Sequence, residues 1–356
     1  MSRRVRNAAK SLLAQMYRTV LRAGLAVLPN HYYSPIADVL DLKKTRESWA
    51  RRSSMTGIDT DIRTQPARLI EMVGPFETEY SGNHAMKEAE AKRFGLGFGY
   101  IEAQCLHGVL RWLKPKRIME IGAGVSTYCA VRASALNAAE GLPAEITCVE
   151  PHPSGYLLGS SDINLISRKV QELAPSEFDH LESGDFLFID SSHAVKPGGD
   201  VIYLYTEVLP RLRPGVVIQI HDIYFPYLYQ RDILDTFFQW TETALLQALL
   251  TNSSHLSILF SLSMLHYDAQ ADLKRVFPEY SPQQAFTAWP KPVRRAISPL
   301  QFIFKQCDRA LQAGMPRVGA PFRWSRPSGG PRRREAFFAG IGHFERLGQA
   351  RRQPTG

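Results

Sequence analysis

Cysteine is scarce in this 356-residue chain. Its four cysteines (Cys105, Cys129, Cys148 and Cys307) show neither paired nor metal-type spacing. A disulfide framework is therefore not expected, and a reducing, cytoplasmic setting fits. Long apolar runs are missing too: no stretch of 18 apolar residues occurs, so no spanning helix is expected. The most apolar late stretch, 245–265, is interrupted by Asn252-Ser-Ser-His255 and reads as a buried helix, a turn and a buried strand. Acids are absent from residues 1–37, which carry six basic residues, and only two acids offset ten arginines in 309–356. The net charge of +9 thus belongs to the ends and leaves −5 for residues 38–308. A body without basic excess disfavours a nucleic-acid partner.

What is present begins with a run at Ile118-Met-Glu-Ile-Gly-Ala-Gly-Val-Ser126. Four mostly apolar residues lead into a turn with two glycines one residue apart. The pattern predicts a buried parallel strand feeding a loop where backbone closely approaches a ligand. Glu120 lies inside the apolar run, where a carboxylate is costly without a partner, and a ligand's ammonium group would supply one. Ile146-Thr-Cys-Val-Glu150 repeats the plan, with an acid placed to accept hydrogen bonds from both hydroxyls of a ribose. The dinucleotide fingerprint needs a third glycine, but position 127 is Thr.

Glu120-x-Gly122-x-Gly124-x-Ser126 resembles the first motif of class I S-adenosylmethionine-dependent methyltransferases, and Glu150 resembles their ribose-binding acid. Further along stand Phe188-Ile-Asp190-Ser-Ser-His193, Pro197-Gly-Gly-Asp-Val201, Leu209-Pro-Arg-Leu212, Pro214-Gly-Val216 and His221-Asp-Ile223. These resemble a bacterial branch related to macrocin O-methyltransferase-like enzymes. His31-Tyr-Tyr-Ser-Pro-Ile36 and Trp240-x-Glu242 resemble it as well. The resemblance implies O-methylation of a small molecule, either a sugar or a natural-product hydroxyl. It implies a cofactor site at Glu120, Gly122, Gly124, Ser126, Glu150, Asp190 and Ser191.

The expected architecture is α/β: a Rossmann-like, doubly wound, mostly parallel sheet, since apolar strands alternate with helical segments. Strands are expected at 118–121, 146–149, 163–166, 186–189 and 216–220, with helices over 98–115, from about 125, and over 199–212. The predicted organisation is a basic amphipathic helix (1–28), an irregular cap (29–97), the methyltransferase domain (98–268), an extension (269–330) and a disordered basic tail (331–356). Relatives tend to finish with a strand after a Gly-Gly turn. Here Ser328-Gly-Gly330 runs into Pro-Arg-Arg-Arg334, so one sheet edge is expected to be incomplete.

Four predicted strand ends then converge: Glu120/Gly122, Glu150, Asp190/His193 and His221/Asp222. In open α/β sheets ligands sit beyond such ends. A hydroxyl nucleophile must be placed behind the methyl group and must lose its proton. His193 or His221 could act as base, with Asp222 beside them. Alternatively, a divalent cation on Asp190, Asp222 and His221 could lower the hydroxyl's pKa. Magnesium prefers oxygen ligands, and manganese tolerates an imidazole better. Tyr32, Tyr33, Tyr224, Phe225 and Tyr227 are candidates for an acceptor-pocket wall.

Other readings stay open. The chain could be a non-catalytic or hydroxylase-like relative, a membrane-associated binding or scaffold protein of glycan biosynthesis. Residues 1–28 could lie on the anionic inner membrane surface, or pack on the body or a partner.

Overall fold

The computed structural model describes residues 15–28, 30, 32–94, 97–236, 238–282 and 302–306, all within the unit Met1–Ala310. Seven strands form one sheet: β1 (Arg117–Ile121), β2 (Glu145–Val149), β3 (Asn164–Ile166), β4 (Phe186–Ile189), β5 (Val217–Ile220), β6 (Leu256–Ser261) and β7 (Phe302–Gln306). Their order is β3-β2-β1-β4-β5-β7-β6. The first five are mutually parallel, and β7 lies antiparallel between β5 and β6. The mostly parallel, doubly wound α/β sheet expected from the strand–helix alternation is what forms.

A strand's side chains alternate between faces, so a strand covered on both sides must be apolar throughout. In β4, Phe186 and Phe188 enter one core while Leu187 and Ile189 enter the other. Ile118 and Met119 of β1 divide in the same way. The first core is closed by α1 (Gln65–Met72), α2 (His84–Ala91), α3 (Tyr100–Leu113) and α4 (Val125–Ala139). The second is closed by the helical stretch 200–211 and by α5 (Glu242–Leu250). Two further helices, α6 (Leu262–Asp268) and α7 (Gln270–Val276), follow β6 and add Leu262, Leu265, Leu273 and Val276 to the first core.

Two local departures have physical causes. The stretch expected as one helix over 199–212 is α-helical at Asp200–Tyr203, then one π turn, then a 3-10 turn ending at Arg211. Pro210 cannot donate to the ladder and ends it. Trp112, in the last turn of α3, is 42% exposed. The rest of that helix is buried nearly all round, so the 3.6-residue stripe loses its meaning at its last turn.

The expectation of an incomplete sheet edge is overturned. Phe302-Ile-Phe-Lys-Gln306 supplies the strand that the Gly-Gly turn at 328 does not lead to, and its Phe302, Ile303 and Phe304 are fully buried. Residues 283–301 and 307–356, with Cys307 and the basic tail, lie outside the described residues. Cys105, Cys129 and Cys148 are free thiols buried in the first core. No helix among the described residues is long and apolar enough to cross a membrane.

Candidate active site

The sheet puts the carboxyl ends of β1, β2, β4 and β5 on one rim, and every residue singled out there lies at one of them. At the end of β1 the chain turns through Gly122, whose φ is +81°. A Cβ there would stand 2.0 Å from the carbonyl oxygen of Asp190, so only glycine fits. Gly124, by contrast, has no positive φ, and a Cβ would meet only the Phe94 carbonyl, at 3.7 Å. The protein itself does not require glycine at 124; a cradle a Cβ would fill suits a ligand pressed against the backbone.

Glu150 closes the other side of that turn. One of its carboxylate oxygens accepts from the Ala123 N–H at 3.2 Å and the other from His152 N–H at 2.7 Å. Glu120 is buried beneath the turn, accepting from the Ser126 hydroxyl at 2.5 Å and facing the Cys148 thiol at 3.4 Å. Its burial raises the carboxyl to a pKa of about 7, although Ser126, Thr127 and Cys148 pull the other way.

The ends of β4 and β5 bring together Asp190, His193, His221 and Asp222. His193 and Asp222 hold left-handed backbone conformations, φ +56° and +54°. Each such non-glycine residue costs on the order of 1 kcal/mol, and such strain collects at functional sites. The His193 loop is tied down by α5: its carbonyl accepts from the N–H groups of Thr241 (2.8 Å) and Glu242 (3.1 Å). Its ring lies against Trp240 at a tilt of 55°, with centroids 4.7 Å apart. Ser191 donates to the Glu242 carboxylate at 3.2 Å.

Electrostatics bear on the base expected here. Burial works against a charged His193 ring, but Asp190 and Glu242 outweigh it and raise its pKa to about 10. His221 is likewise raised, burial again opposing and Asp222, Asp190 and Glu102 prevailing. Asp190 stays well below its ordinary value: burial opposes ionisation, and the two imidazoles reverse it. The surrounding carboxylates thus favour the charged form of both rings, and burial opposes it.

Two acids here escaped the sequence reading in this role: Glu102 of α3 and Glu242 of α5, each buried against one of the histidines. Glu102 had a signal, since an acid in an apolar helical run needs a partner. It also accepts from the Gly99 N–H at 2.6 Å as a helix cap. Of the expected aromatic wall, Tyr224 stands 6.4 Å from Trp240, whereas Phe225 is buried on Phe302 and Tyr227 packs on Tyr267. Tyr32 and Tyr33 are exposed, and His31 lies outside the described residues. Phe98, a buried member of the first core, has its ring 5.2 Å from that of His221.

Residues 119–223, which span the glycine turn, Glu150 and the histidine cluster, match the family described as a methyltransferase domain. This part of the chain is a methyltransferase domain. An uncharacterized protein of Archaeoglobus fulgidus is 29% identical over 185 residues, 49% of this chain and 82% of that protein. Among solved structures the chain is similar to an O-methyltransferase from Bacillus cereus in complex with SAH, at 16% identity. That likeness covers 53% of this chain and 90% of the other, with a TM-score of 0.36. It is also similar to the MycE methyltransferase of the mycinamycin biosynthetic pathway, in complex with Mg and SAH, at 13% identity. There 66% of this chain and 58% of the other are covered, with a TM-score of 0.32.

Proposed function

We propose that this methyltransferase domain transfers the methyl group of S-adenosylmethionine to a hydroxyl of a small molecule, a sugar or a natural product. One observation carries the reading: the glycine turn is wedged between Glu150, which accepts from Ala123 N–H, and Asp190, whose carbonyl oxygen forbids a Cβ at Gly122. The cofactor-type groups and the histidine cluster are therefore one continuous site.

In this reading Glu150 takes the ribose hydroxyls, Gly124 admits the ligand to the backbone, and buried Glu120 answers the amino group of the methionyl part. Methyl transfer from a sulfonium is an in-line displacement, in which the acceptor oxygen attacks as the thioether leaves. The main contribution of these residues is to place that oxygen. Asp190 and Asp222, with the imidazole of His221 at 3.3 Å from Asp190, suit a divalent cation, because one donor atom from each lies within reach of a shared point. A bound cation would lower the acceptor's pKa and hold it. The rings of Trp240 and Phe98 lie beside the imidazoles. The negative body disfavours a nucleic-acid acceptor. Residues 15–27, exposed with Arg18 and Arg22 among apolar side chains, suit peripheral contact with an anionic membrane.

The test is calorimetric titration of the full chain with S-adenosylmethionine beside Glu150→Ala. The expected result is micromolar binding by the wild type, weakened at least tenfold in the variant. A folded wild-type chain that takes up no S-adenosylmethionine would refute the reading.

A further inference from the structure

Large apolar side chains that face water are usually scattered singly over a surface. Here nine of the sixteen exposed ones among the described residues lie between Met16 and Leu40, so the apolar surface is concentrated. Tyr32, Tyr33, Ile36 and Leu40 are each at least 50% exposed, and the two tyrosine rings meet edge to face at 5.1 Å. The short helix Val39–Lys44 buries none of its residues, although Asp38 caps it by accepting from the Leu40 and Asp41 N–H groups. A helix this short is marginal in water and gains stability by laying its apolar side chains on another surface.

This strip is fastened to the rim of the candidate active site. The Ala37 N–H donates to Gln239 Oε1 at 3.0 Å, and the Ser53 N–H to the Pro226 carbonyl at 2.7 Å. Gln239 stands between Phe238, which is exposed, and Trp240, whose ring lies against His193. Val195, two residues past His193, is exposed as well, and its N–H donates to the Thr241 hydroxyl at 2.9 Å. Exposed apolar side chains therefore run from the cap onto the two loops that hold His193 and Trp240.

Charge selects what such a strip can meet. Residues 15–46 carry Arg18, Arg22, Lys43, Lys44 and Arg46 against Asp38 and Asp41, and all five basic side chains are exposed. A second copy would bring one basic collar against another, because a two-fold interface joins the same patch to itself. An anionic lipid surface complements the collar instead, and its interface takes both tyrosines and aliphatic side chains.

We propose that this strip rests on an anionic bilayer and that the methyl acceptor is lipid-borne: its hydroxyl-bearing head enters the site while its hydrocarbon chain stays in the bilayer. In the transfer, the head-group oxygen bonds to the methyl carbon as the carbon–sulfur bond breaks. The bonding pair leaves on sulfur, and the hydroxyl proton passes to water. A soluble acceptor gains nothing from an apolar strip at the rim, whereas a bilayer-held one is presented to the docked site at high effective concentration. The inference rests on the methyl-transfer reading and narrows its acceptor to an amphiphile.

The experiment compares the full chain with a double variant at two exposed positions, Ile36→Glu with Leu40→Glu. Each is incubated with methyl-labelled S-adenosylmethionine and, in separate arms, the membrane and soluble fractions of the cells that encode the chain. Label should enter the membrane arm and extract into organic solvent. The double variant should lower that transfer at least tenfold. It should also sediment at least tenfold less with vesicles of equal phosphatidylglycerol and phosphatidylcholine, at unchanged S-adenosylmethionine affinity. Label confined to water-soluble products would overturn the lipid-borne acceptor and leave methyl transfer standing. Equal transfer and vesicle binding by the two chains would overturn it as well. Vesicles ignored by a chain that elutes as a dimer, which the double variant splits, would assign the strip to a second copy instead. No transfer in either arm would sink the methyl-transfer reading, and this inference with it. The two arms of the unaltered chain decide even if the variant does not fold.

Discussion

Glu120 is the residue whose energetics depend most on what it meets. Buried under the glycine turn, its carboxyl is shifted from 4.5 to about 7, with burial the dominant cause. An acid whose folded pKa is raised destabilises the fold as pH climbs above its unfolded value. The loss begins near pH 4.5 and is complete above pH 7, on the order of 3 kcal/mol. Glu120→Gln keeps an oxygen for the Ser126 hydroxyl without the charge. In the ligand-free chain it should raise the melting temperature at pH 8 and leave it nearly unchanged at pH 4. A ligand ammonium would favour the carboxylate instead. S-adenosylmethionine binding to the wild type near pH 6 should therefore release a proton, and affinity should climb between pH 5 and 7. Calorimetry in buffers of different ionisation enthalpy reads this directly. Affinity independent of pH over that range would show that Glu120 does not meet the amino group.

Among the elements, β7 is the one the sheet cannot lose. It bridges β5 and β6, so it holds the strand that delivers His221 and Asp222. Phe304→Ala removes a fully buried ring from the second core and should cost about 3–5 kcal/mol in denaturant unfolding. A loss below 1 kcal/mol would mean that β7 contributes little to the sheet. The parallel strands were legible because each is a short apolar run ending in a polar residue, as in Phe186–Ile189 before Asp190. β7 has the same aromatic and β-branched character, but it stands some forty residues beyond β6, past α6 and α7, and runs antiparallel to its neighbours. Its partners could be assigned only in three dimensions. The site divides along the same line. Residues at strand ends announced themselves, because topology alone carries Glu120, Glu150, Asp190 and Asp222 to one rim. Glu102 and Glu242 did not, because their roles depend on how α3 and α5 pack against that rim. The ring contacts of Trp240 and Phe98 with the two histidines were hidden for the same reason.

Across the whole chain, charge is sorted by position: six basic residues and no acid in 1–37, a net of −5 in 38–308, and ten arginines after it. A negative body would be repelled by an anionic surface, so any attraction must come from the ends. The N-terminal end also offers apolar contact. Met16, Leu21, Leu25 and Val27 are each 47% exposed or more, beside Arg18 and Arg22. A basic side chain near an anionic bilayer contributes about 1 kcal/mol, falling off within a Debye length of about 8 Å at physiological salt. The full chain should therefore sediment with vesicles containing an anionic lipid, be released by high salt, and ignore zwitterionic vesicles. Deleting residues 1–28 removes all six N-terminal basic residues and should weaken vesicle binding at least tenfold. S-adenosylmethionine titration should be unaltered, because the site proposed for it is built on β1, β2 and β4. Vesicle binding unchanged by the deletion would refute an N-terminal membrane contact, and a second deletion of 309–356 would show whether the C-terminal arginines carry it instead.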